Sequence, residues 1–538
     1  MPCPIADCYA SGLARRFAPL GGEAPMTEVG QGYVTDVPYT YGYFPALNPL
    51  NAGLMLLYDG QVPPAGGRAC ELGYGQGVTL NLLAAGQDTA WWGTDFNATH
   101  AALACELAEQ AATGARLSNR SFAEFCADPD LPEFDFIALN GVWSWINDDN
   151  RALLVDFVRR KLAVGGVFFL GYLAQPGHAD MVPVQRLLTQ YDERLGKRGQ
   201  DRRERILDAL AFAEKLLGAD ARFALNHPKL LPHLREIRTQ KDPAYLVHEY
   251  FSRMWQPMTF AEVAAWLQPA QLEYASSAYA LDHIPSLTLT PKQRQILADI
   301  PDSALRVTAR DFLTCRAFHL DYWVKGLRPL LHFRWEAAWC QQRFVLIRPR
   351  GEIGATITID GSEVGLVPAV YTPLLDALAD QQPKAFGELE RLVKPAQLRP
   401  EQLREACLLL VGAGLAAPAQ APEVIERRRG HTDRLNRHLM SRARDGGEIG
   451  HLASPVTGGG IAVHRFGQLF LLAANEGGDT PEEWAKFVWD ILAARGEKII
   501  KEGKTLANAK DNLGELRRQA REFADKELPL LRALQVVA

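Results

Sequence analysis

Between residues 68 and 174, short apolar runs alternate with longer segments in which apolar residues recur at helical spacing. The strand-like runs are RACEL, TAWWGTDF, FDFIALN and GGVFFLGYL, and the helical segments are VTLNLLAAG, ATHAALACELAEQAATG and NRALLVDFVRRKLA. Strands that are apolar throughout and alternate with helices indicate a parallel sheet covered on both faces. The pattern therefore predicts a doubly wound α/β domain.

The pattern changes to charged helices from about residue 183 to residue 231. The charged helix of residues 184–218 is interpreted as a solvated face, or alternatively as a lid or a dimer arm. Residues 243–330 mix helix with strand-like pieces such as QLEYASSAYAL. This part of the chain is predicted to be a helical and α+β region.

The C-terminal third is predicted to contain smaller modules. QQRFVLIRPRG and ATITIDGSEVGL are predicted β segments, and three short helices follow and end at Gly412 and Gly414, which suggests a winged-helix-like module. Residues 451–473, which include HRFGQLFLL, are predicted to be β structure. Thr480 and Glu483 form a capping box that begins a helix, and the tail is predicted to be mostly helical.

A length of 538 residues is too great for one hydrophobic core. At about 150 residues per domain it indicates three or four units. The predicted division is an α/β domain (1–183), a helical arm with an α+β region (184–332), a winged-helix-like domain (333–420) and a mostly helical C-terminal domain (421–538).

Composition and charge exclude several classes of protein. Apolar residues make up 47% and charged residues 22%, as in soluble globular proteins, and a net charge of −5 gives no basic field for nucleic acid or an anionic membrane. The N-terminus lacks the pattern of a signal peptide, and the longest apolar run, at residues 162–174, is too short and too rich in glycine to span a bilayer. These features predict a cytoplasmic protein.

The eight cysteines are scattered along the chain, with no CxxC pair and no histidine at zinc spacing. Cys3 and Cys8 are the closest pair, but reduced, mostly buried thiols are the preferred interpretation of all eight. The sequence therefore predicts no metal site.

The most informative stretch is the glycine loop, which runs from Gly73 through Gly75 to Gly77 between a predicted strand and a predicted helix. Glycines let the backbone turn tightly and approach a ligand, and the helix N-terminus offers free N–H groups. Asp95 ends the next strand, where its carboxylate is placed to accept hydrogen bonds from two ribose hydroxyls. Together these features predict a nucleoside site.

The acid before the loop narrows the choice of nucleoside. Dinucleotide-binding proteins use GxGxxG, whereas this loop reads GxGxG and follows Glu71. A carboxylate facing the loop suits a ligand with an ammonium and a sulfonium better than one with a pyrophosphate. S-adenosylmethionine is such a ligand, and it is the predicted cofactor.

The motifs ELGYGQG, TDF and DFIALN resemble those of class I S-adenosylmethionine-dependent methyltransferases. Longer stretches resemble bacterial methyltransferases with a methyltransferase regulatory domain, a group that includes protein-lysine methyltransferases of outer-membrane proteins. The matching stretches are residues 36–45, 48–49, 134–146, 165–167, 171–178, 245–250 and 310–313, with Arg316. The resemblance implies a Rossmann-like methyltransferase domain, and cofactor contacts from Glu71, Gly73, Gly75, Gly77, Asp95, Phe96, Ser121, Phe122 and Asn140.

The chain also departs from this family. The family usually has histidine at Asn48 and at Asn140, and it has a different sequence around Tyr172 and His178. The cofactor loop is intact, whereas the departures fall near the expected acceptor pocket. They put the identity of the acceptor in question.

Methyl transfer from a sulfonium requires an unprotonated nucleophile held close to the methyl carbon. A dry aromatic pocket lowers the pKa of a lysine amine, and aromatic faces attract the sulfonium. The predicted catalytic residues are Tyr39, Asn140 and Tyr172. Both tyrosines lie in turn-rich stretches beside the expected cofactor edge, although core packing is the alternative for each. Further candidate aromatic residues are Tyr43, Phe44, Trp143 and Trp145.

Several other polar residues have structural alternatives. Ser121 and Phe122 flank the adenine ring or simply cap a helix. His178 and His248 are interpreted as structural hydrogen-bonding groups rather than bases. Arg310, Asp311 and Arg316 are predicted to tie their region together through ion pairs; the sequence suggests no catalytic role for them.

Three functions remain open from the sequence. The first is a methyltransferase that acts on protein, with lysine side chains as the favoured acceptor, and the second is a methyltransferase that acts on a small molecule such as a natural-product or cell-envelope intermediate. The third is a catalytically silent, cofactor-binding scaffold. Because about 150 residues suffice to bind the cofactor, the added length favours a macromolecular acceptor.

Overall fold

The computed structural model describes residues 34, 36–64, 66–197, 199–359 and 361–537. Its centre is a sheet of seven strands. They are β1 (Arg68–Leu72), β2 (Ala90–Thr94), β3 (Arg116–Ser118), β4 (Phe134–Asn140), β5 (Leu162–Leu173), β6 (Leu272–Ser277) and β7 (Phe318–Lys325). Cys3 and Cys8 lie outside the described residues.

The strand order is β3-β2-β1-β4-β5-β7-β6. The first five strands are parallel, and β7 is inserted antiparallel between β5 and β6. The chain reverses its direction of winding between β1 and β4, so the carboxyl ends of these two strands border a crevice where α/β proteins bind ligands. The predicted doubly wound α/β domain is confirmed.

Helices cover both faces of the parallel strands. Phe136 and Ala138 pack on the same side as α1 (Pro49–Tyr58) and α2 (Val78–Gly86), whereas Ile137 and Leu139 pack on the side of α5 (Asp148–Lys161). Successive residues of a strand point to opposite faces, so a strand buried on both faces is apolar at nearly every position. The helices are α1 (Pro49–Tyr58), α2 (Val78–Gly86), α3 (Ala98–Ala111), α4 (Phe122–Cys126) and α5 (Asp148–Lys161).

Strands β6 and β7 belong to this sheet although they come after residue 183. The predicted boundary at residues 183–184 therefore does not mark the end of the sheet, and the division into four domains stays a prediction. Strand β7 was not predicted, because His319 and Asp321 interrupt its apolar run. Short helices beside these two strands are α11 (Phe260–Leu267), α12 (Pro285–Thr288), α13 (Pro291–Ala298) and α14 (Ser303–Thr314).

A helical arm lies between β5 and α11, as the charged pattern predicts. It consists of α6 (Met181–Leu195), α7 (Arg202–Leu217), α8 (Arg222–Asn226), α9 (Leu230–Gln240) and α10 (Pro243–Tyr250). Its buried residues form one cluster with Val34 and Val37, so the arm packs against the N-terminal end of the described chain. The interpretation of this arm as a lid or dimer arm stays a prediction.

The region after residue 331 contains the expected β segments and the three expected short helices, which follow a further helix, α15 (His332–Gln341). In a three-stranded antiparallel sheet, β8 (Arg343–Leu346) lies between β11 (Lys384–Ala385) and β12 (Ala416–Ala419), and β9 (Thr356–Ile359) and β10 (Ser362–Gly365) form a hairpin. The elements are α15 (His332–Gln341), β8 (Arg343–Leu346), β9 (Thr356–Ile359), β10 (Ser362–Gly365), α16 (Pro368–Ala377), β11 (Lys384–Ala385), α17 (Phe386–Leu392), α18 (Pro400–Gly412) and β12 (Ala416–Ala419). Its core is continuous with that of α1 and the central sheet.

The C-terminal region is mostly helical, as predicted, but one β prediction is wrong. Residues 465–475 form a helix because Phe466, Leu469, Phe470 and Leu472 recur at helical rather than strand spacing. The elements are α19 (Pro422–Arg442), β13 (His451–Ser454), β14 (Gly459–Ala462), α20 (Arg465–Asn475), α21 (Pro481–Ala494), β15 (Ile500–Lys501), β16 (Lys504–Thr505), α22 (Ala509–Glu522), a π-helix (Phe523–Glu527) and α23 (Leu528–Ala533). The predicted capping box at Thr480 and Glu483 is present.

Short 3-10 helices complete the described elements. They are Pro45–Leu47, Trp143–Trp145, Gln268–Ala270, Ala280–His283, Arg350–Glu352 and Lys394–Ala396. In the described ranges, no helix has the length and apolar character needed to cross a membrane.

The β13–β14 hairpin joins the C-terminal region to the α/β domain. The side chain of Asn48 donates to the carbonyl of Thr457 at 3.1 Å, and the side chain of Gln87 donates to the carbonyl of Gly458 at 2.6 Å and to Oδ1 of Asn48 at 2.8 Å. A Cβ on Gly459 would lie 2.2 Å from the hydroxyl oxygen of Tyr43. The hairpin thus contacts both the N-terminal segment (residues 36–48) and the end of α2.

Candidate functional site

The glycine loop turns sharply between β1 and α2. Gly73, Gly75 and Gly77 all have positive φ values, of 75°, 57° and 71°. A Cβ on Gly77 would lie 2.5 Å from the Cβ of Ala104, and a Cβ on Gly73 would lie 2.7 Å from Val142 Cγ2. Backbone conformation and close packing both require glycine at these two positions. The loop therefore presents bare backbone at the N-terminus of α2, as the sequence predicts.

Glu71 lies on β1 directly before the loop and is 4% exposed. Burial, followed by the negative charge of Asp95, raises the pKa of Glu71 to about 8. Its Oε2 atom is buried and has no hydrogen-bond partner within the described residues. A buried carboxylate oxygen in this state is costly, and a cationic ligand at the loop would compensate for it.

Asp95 follows β2 and faces the same loop. Its Oδ2 accepts from the backbone N–H of Gly75 at 2.9 Å, and its Oδ1 accepts from the backbone N–H of Asn97 at 2.9 Å. Oδ1 also lies 3.4 Å from Nδ1 of His100. These contacts fix the carboxylate beside the loop, where the sequence expects it to meet ribose hydroxyls. Phe96, the next residue, is half-buried.

The N-terminal segment lies across the glycine loop and brings Tyr39 to it. Cδ1 of Tyr39 is 3.8 Å from the position of a Cβ on Gly75. The backbone N–H of Tyr39 donates to Nε2 of His100 at 3.1 Å, and its carbonyl accepts from the side chain of Gln76 at 2.8 Å. Burial and the negative charge of Glu249 raise the pKa of Tyr39 to about 12. The structure therefore brings Tyr39 and the cofactor loop together.

Asn140 and Phe122 border the crevice from the other side. Asn140 ends β4, and its Oδ1 lies 2.7 Å from the position of a Cβ on Gly171 in β5. The ring of Phe122 lies beside the first glycine, with Cζ 3.8 Å from the position of a Cβ on Gly73. Ser121 caps α4, since its hydroxyl accepts from the backbone N–H of Glu124 at 3.3 Å. An adenine contact for Ser121 or Phe122 stays a prediction.

Tyr172 does not join this group. Asn140 is in register with Gly171, so Tyr172, one residue further along β5, points to the opposite face of the sheet. Tyr172 is fully buried, and its hydroxyl donates to Oδ2 of Asp321 at 3.2 Å. Sequence proximity to the sheet edge suggested a catalytic role, but the side-chain alternation of the strand directs this hydroxyl into the core.

Tyr172 belongs to a second buried polar cluster between β5, β7 and α14. Its ring stacks on His319 at a centroid distance of 5.0 Å. His319 lies 3.0 Å from Oδ2 of Asp311 and 3.2 Å from Oδ1 of Asp321. Burial opposes the charged imidazole, but the two carboxylates outweigh it and raise the pKa of His319 to about 10. We refer to these four residues as the β5–β7 cluster.

The predicted ion pairs of the region are present. Arg310 and Arg316 both pair with Asp282, at 3.1 and 2.6 Å, and Asp311 pairs with His319. Asp282 and His319 were not predicted, because they are distant in sequence from the arginines or lie in the unpredicted strand.

The two histidines interpreted as structural groups lie near the site. Nε2 of His248 is 2.8 Å from the carbonyl oxygen of Val37 and so links α10 to the N-terminal segment. His178 packs edge-on against Trp255 with ring centroids 5.6 Å apart, and burial, followed by the charge of His233, lowers its pKa to about 4. No base role follows from either contact.

Two residues near the loop escaped sequence reasoning, whereas Asn48, which the sequence analysis placed near the acceptor pocket, instead binds the C-terminal hairpin. His100 stands between Asp95 and the N-terminal segment. Glu249, on α10, is buried beside Tyr39. The sequence signal that could have identified Glu249 is its charge within the largely apolar helical stretch AYLVHEYF.

The site brings together the N-terminus of α2, the carboxylate of Asp95 and the buried carboxylate of Glu71, a set that fits a cationic nucleoside such as S-adenosylmethionine. No group of His, Cys, Asp and Glu in the described part of the chain is arranged to hold a metal ion. The six cysteines described are all free thiols, of which Cys70, Cys126 and Cys407 are buried.

Comparison with known proteins agrees with this geometry. Residues 242–325 match a family model described as a predicted methyltransferase regulatory domain. The structure of PKMT2 from Rickettsia typhi in complex with AdoHcy is similar over 93% of this chain and 100% of that chain, with a TM-score of 0.67 and 16% identity. A second structure of PKMT2 gives a TM-score of 0.64 over 93% of this chain and 99% of that chain, also at 16% identity.

One full-length relative is close in sequence. The Synechocystis protein sll1526, which is described as uncharacterized, is 35% identical over 511 residues, or 94% of this chain and 99% of that protein. The chain therefore belongs to the same family as sll1526, and it has the fold of the class I S-adenosylmethionine-dependent methyltransferases together with a methyltransferase regulatory domain.

Proposed function

We propose that this chain is an S-adenosylmethionine-dependent methyltransferase that modifies a protein acceptor at lysine side chains. The observation that supports the cofactor most directly is the loop 73–77, which brings three positive-φ glycines, Asp95 and the buried Glu71 to one helix N-terminus. These groups match a ligand with ribose hydroxyls that donate to Asp95 and with positive charge that Glu71 attracts.

The bound cofactor would supply an electrophilic methyl group on a sulfonium. Asp95 would accept hydrogen bonds from the ribose, and Glu71 would face the positive charge of the methionine part. Tyr39 would exclude water from one side of the loop, since an edge of its ring lies beside Gly75. Asn140, at the end of β4, would border the acceptor side of the crevice.

The acceptor is proposed on three grounds. The chain resembles protein-lysine methyltransferases over most of its length, and its fold is similar to that of PKMT2 over 93% of its length. The region beyond the central sheet is large, which suits a bulky acceptor. The departure from the family at Asn48 lies in the contact with the C-terminal hairpin, so it does not alter the acceptor side directly.

Cell extract incubated with the protein and methyl-labelled S-adenosylmethionine tests this proposal. We expect label in material that protease degrades, and methylated lysine after acid hydrolysis. The Asp95→Ala variant should give no label, and Asp156→Ala should label like wild type, because Asp156 pairs with Arg159 and Arg160 on the exposed side of α5.

The other outcomes separate the alternatives. Label confined to a small-molecule fraction would show that the acceptor is a small molecule, such as a natural-product or cell-envelope intermediate, and not a protein. Cofactor binding without any label would favour a silent scaffold. Absence of binding at micromolar concentrations in calorimetry would contradict the whole proposal.

A further inference from the structure

Helix α10 contains a buried carboxylate that is surrounded by neutral groups. Glu249 is 7% exposed, and none of the ion pairs among the described residues includes it. Its Oε1 accepts from the indole N–H of Trp255 at 3.2 Å, and the hydroxyl of Tyr245 is a second hydrogen-bond partner. A carboxylate offers about four lone-pair directions, so these two donors leave room for a further donor.

Burying a negative charge without a cation is unfavourable. Two carboxylates near the crevice share this condition, Glu71 beside the cofactor loop and Glu249 on α10. A class I cofactor has one amino-acid end, which the loop and Glu71 would accommodate. A second cation, provided by the other substrate, would compensate for Glu249.

The position of Glu249 connects it with the loop. His248, its neighbour on α10, lies 2.8 Å from the carbonyl oxygen of Val37 in the N-terminal segment. The ring of His248 also meets the ring of Tyr39 edge-on, with centroids 5.1 Å apart. One edge of the Tyr39 ring lies beside Gly75. The negative charge of Glu249 acts on the hydroxyl of the same tyrosine, so Tyr39 connects the α10 carboxylate with the cofactor loop.

We propose that Glu249, together with Tyr39, Tyr245 and Trp255, forms the subsite that binds the protonated amine of the methyl acceptor. The inference rests on the proposed methyltransferase function and deepens it, because it names the group that recognises the amine and takes its proton. The occupant is a primary alkylammonium such as the end of a lysine side chain.

The chemistry of the subsite follows from its groups. The ammonium donates to the carboxylate, and the aromatic faces attract the same positive charge. One N–H bond of the ammonium then breaks as an O–H bond forms on Glu249, which leaves a neutral amine with a free lone pair and a neutral carboxylic acid. Burial raises the pKa of Glu249 to about 7, which brings it closer to that of an amine and makes this transfer less unfavourable.

The Glu249→Gln variant tests the subsite without relying on turnover. The amide oxygen of glutamine can still accept from Trp255 and Tyr245, so the fold should persist. We would measure binding of n-butylammonium by ligand-observed NMR in the presence of saturating S-adenosylhomocysteine, with n-butanol as the uncharged probe. Glu236→Gln is the matched control, since Glu236 is exposed on α9.

We expect n-butylammonium to bind the wild type and Glu236→Gln at least tenfold more tightly than it binds Glu249→Gln. Butanol should bind all three proteins equally, and S-adenosylhomocysteine affinity should stay within twofold. Equal affinity of wild type and Glu249→Gln for n-butylammonium, or its failure to bind wild type, would overturn the inference.

A second readout separates this inference from the proposed function. With an active acceptor, kcat/KM of the wild type should rise with pH through about 7 because the carboxylate must lose its proton, and this limb should vanish in Glu249→Gln. If the protein binds the amine but labels no protein, the proposed protein acceptor is contradicted, whereas the proposed amine subsite is supported. Protein labelling with an unchanged pH profile in Glu249→Gln would contradict the subsite.

Discussion

The central sheet contains two buried polar clusters that differ in how their charges are balanced. At the glycine loop, Glu71 has an oxygen without a partner within the described residues. In the β5–β7 cluster, by contrast, His319 lies between Asp311 and Asp321, and Tyr172 donates to Asp321. Among the described residues no cation pairs with Glu71, whereas the second cluster contains its own cation.

This difference distinguishes a ligand site from a structural core. Both clusters are buried, and each raises the pKa of one member, that of Glu71 to about 8 and that of His319 to about 10. A strongly shifted pKa, taken alone, would identify both clusters as candidate functional sites. Charge balance separates them, because a cluster that already pairs its charges gains little from a ligand, whereas an uncompensated carboxylate gains much.

The largest expected effect is on stability, from the β5–β7 cluster. His319→Gln removes the cation between two buried carboxylates and should lower the free energy of unfolding by about 3–5 kcal/mol. The pKa of His319 is raised in the folded state, so the charged imidazole stabilises the fold. This stabilisation is fully present below about pH 6.5 and is lost as pH rises through about 10. The free energy of unfolding, measured in urea at pH 6 and at pH 10, should therefore differ less between variant and wild type at pH 10 than at pH 6.

The control for this experiment is His332→Gln, since His332 is exposed on α15 and its ion pair, with Glu336, is also exposed. Its stability should match that of the wild type at both pH values. A difference between His319→Gln and wild type that is equally large at pH 10 would contradict the charged state assigned to His319.

The next effect is on cofactor binding. Asp95→Ala removes the carboxylate held by Gly75 and Asn97 and should weaken S-adenosylmethionine binding at least about 100-fold, as expected for lost hydrogen bonds to a charged group. Calorimetry would measure it, with Tyr172→Phe as the comparison from the β5–β7 cluster. Equal weakening by Tyr172→Phe would remove the distinction between the two clusters.

A smaller effect depends on pH at Glu71. Its folded pKa of about 8 means that the carboxylate becomes charged as pH rises through this value. We would compare the affinities of the wild type and Glu71→Gln for S-adenosylmethionine. The ratio of wild-type to variant affinity should grow from near one at pH 6 to about ten at pH 9. A ratio that does not change with pH would show that Glu71 does not face the positive charge.

The smallest effect connects the C-terminal hairpin with the loop. Gly459→Val places side-chain atoms against the hydroxyl of Tyr43, which should displace the N-terminal segment and weaken cofactor binding about fivefold. Gly450→Val is the control, because a Cβ there has no atom within 4 Å among the described residues. Fluorescence titration with S-adenosylhomocysteine would compare the two variants. Equal affinities would show that the hairpin does not influence cofactor binding.

Local features of the site were predictable from the sequence. The strand, the loop 73–77, helix α2 and Asp95 follow from short-range rules of backbone conformation and hydrophobic spacing. They are contiguous or end neighbouring parallel strands, so chain order alone brings them together.

Features set by long-range packing were not predictable. The direction of Tyr172 depends on the register of β4 and β5, and β7 was missed because its polar residues are satisfied only by partners from α14 and β5. Glu249 approaches the loop only through the packing of α10 on the N-terminal segment. The helix at residues 465–475 was misread because the contiguous apolar run from Leu469 to Ala474 resembles a buried strand and hides the helical spacing that begins at Phe466.

Hydrogen exchange with and without S-adenosylhomocysteine tests the distinction between the two clusters most directly. We expect the ligand to slow exchange at the amides of residues 73–77 and 95–97 and in the N-terminal segment, because these groups would contact or cover it. Amides of residues 170–173 and 318–322, around the β5–β7 cluster, should not change. Protection centred on the β5–β7 cluster, with none at the glycine loop, would contradict the account.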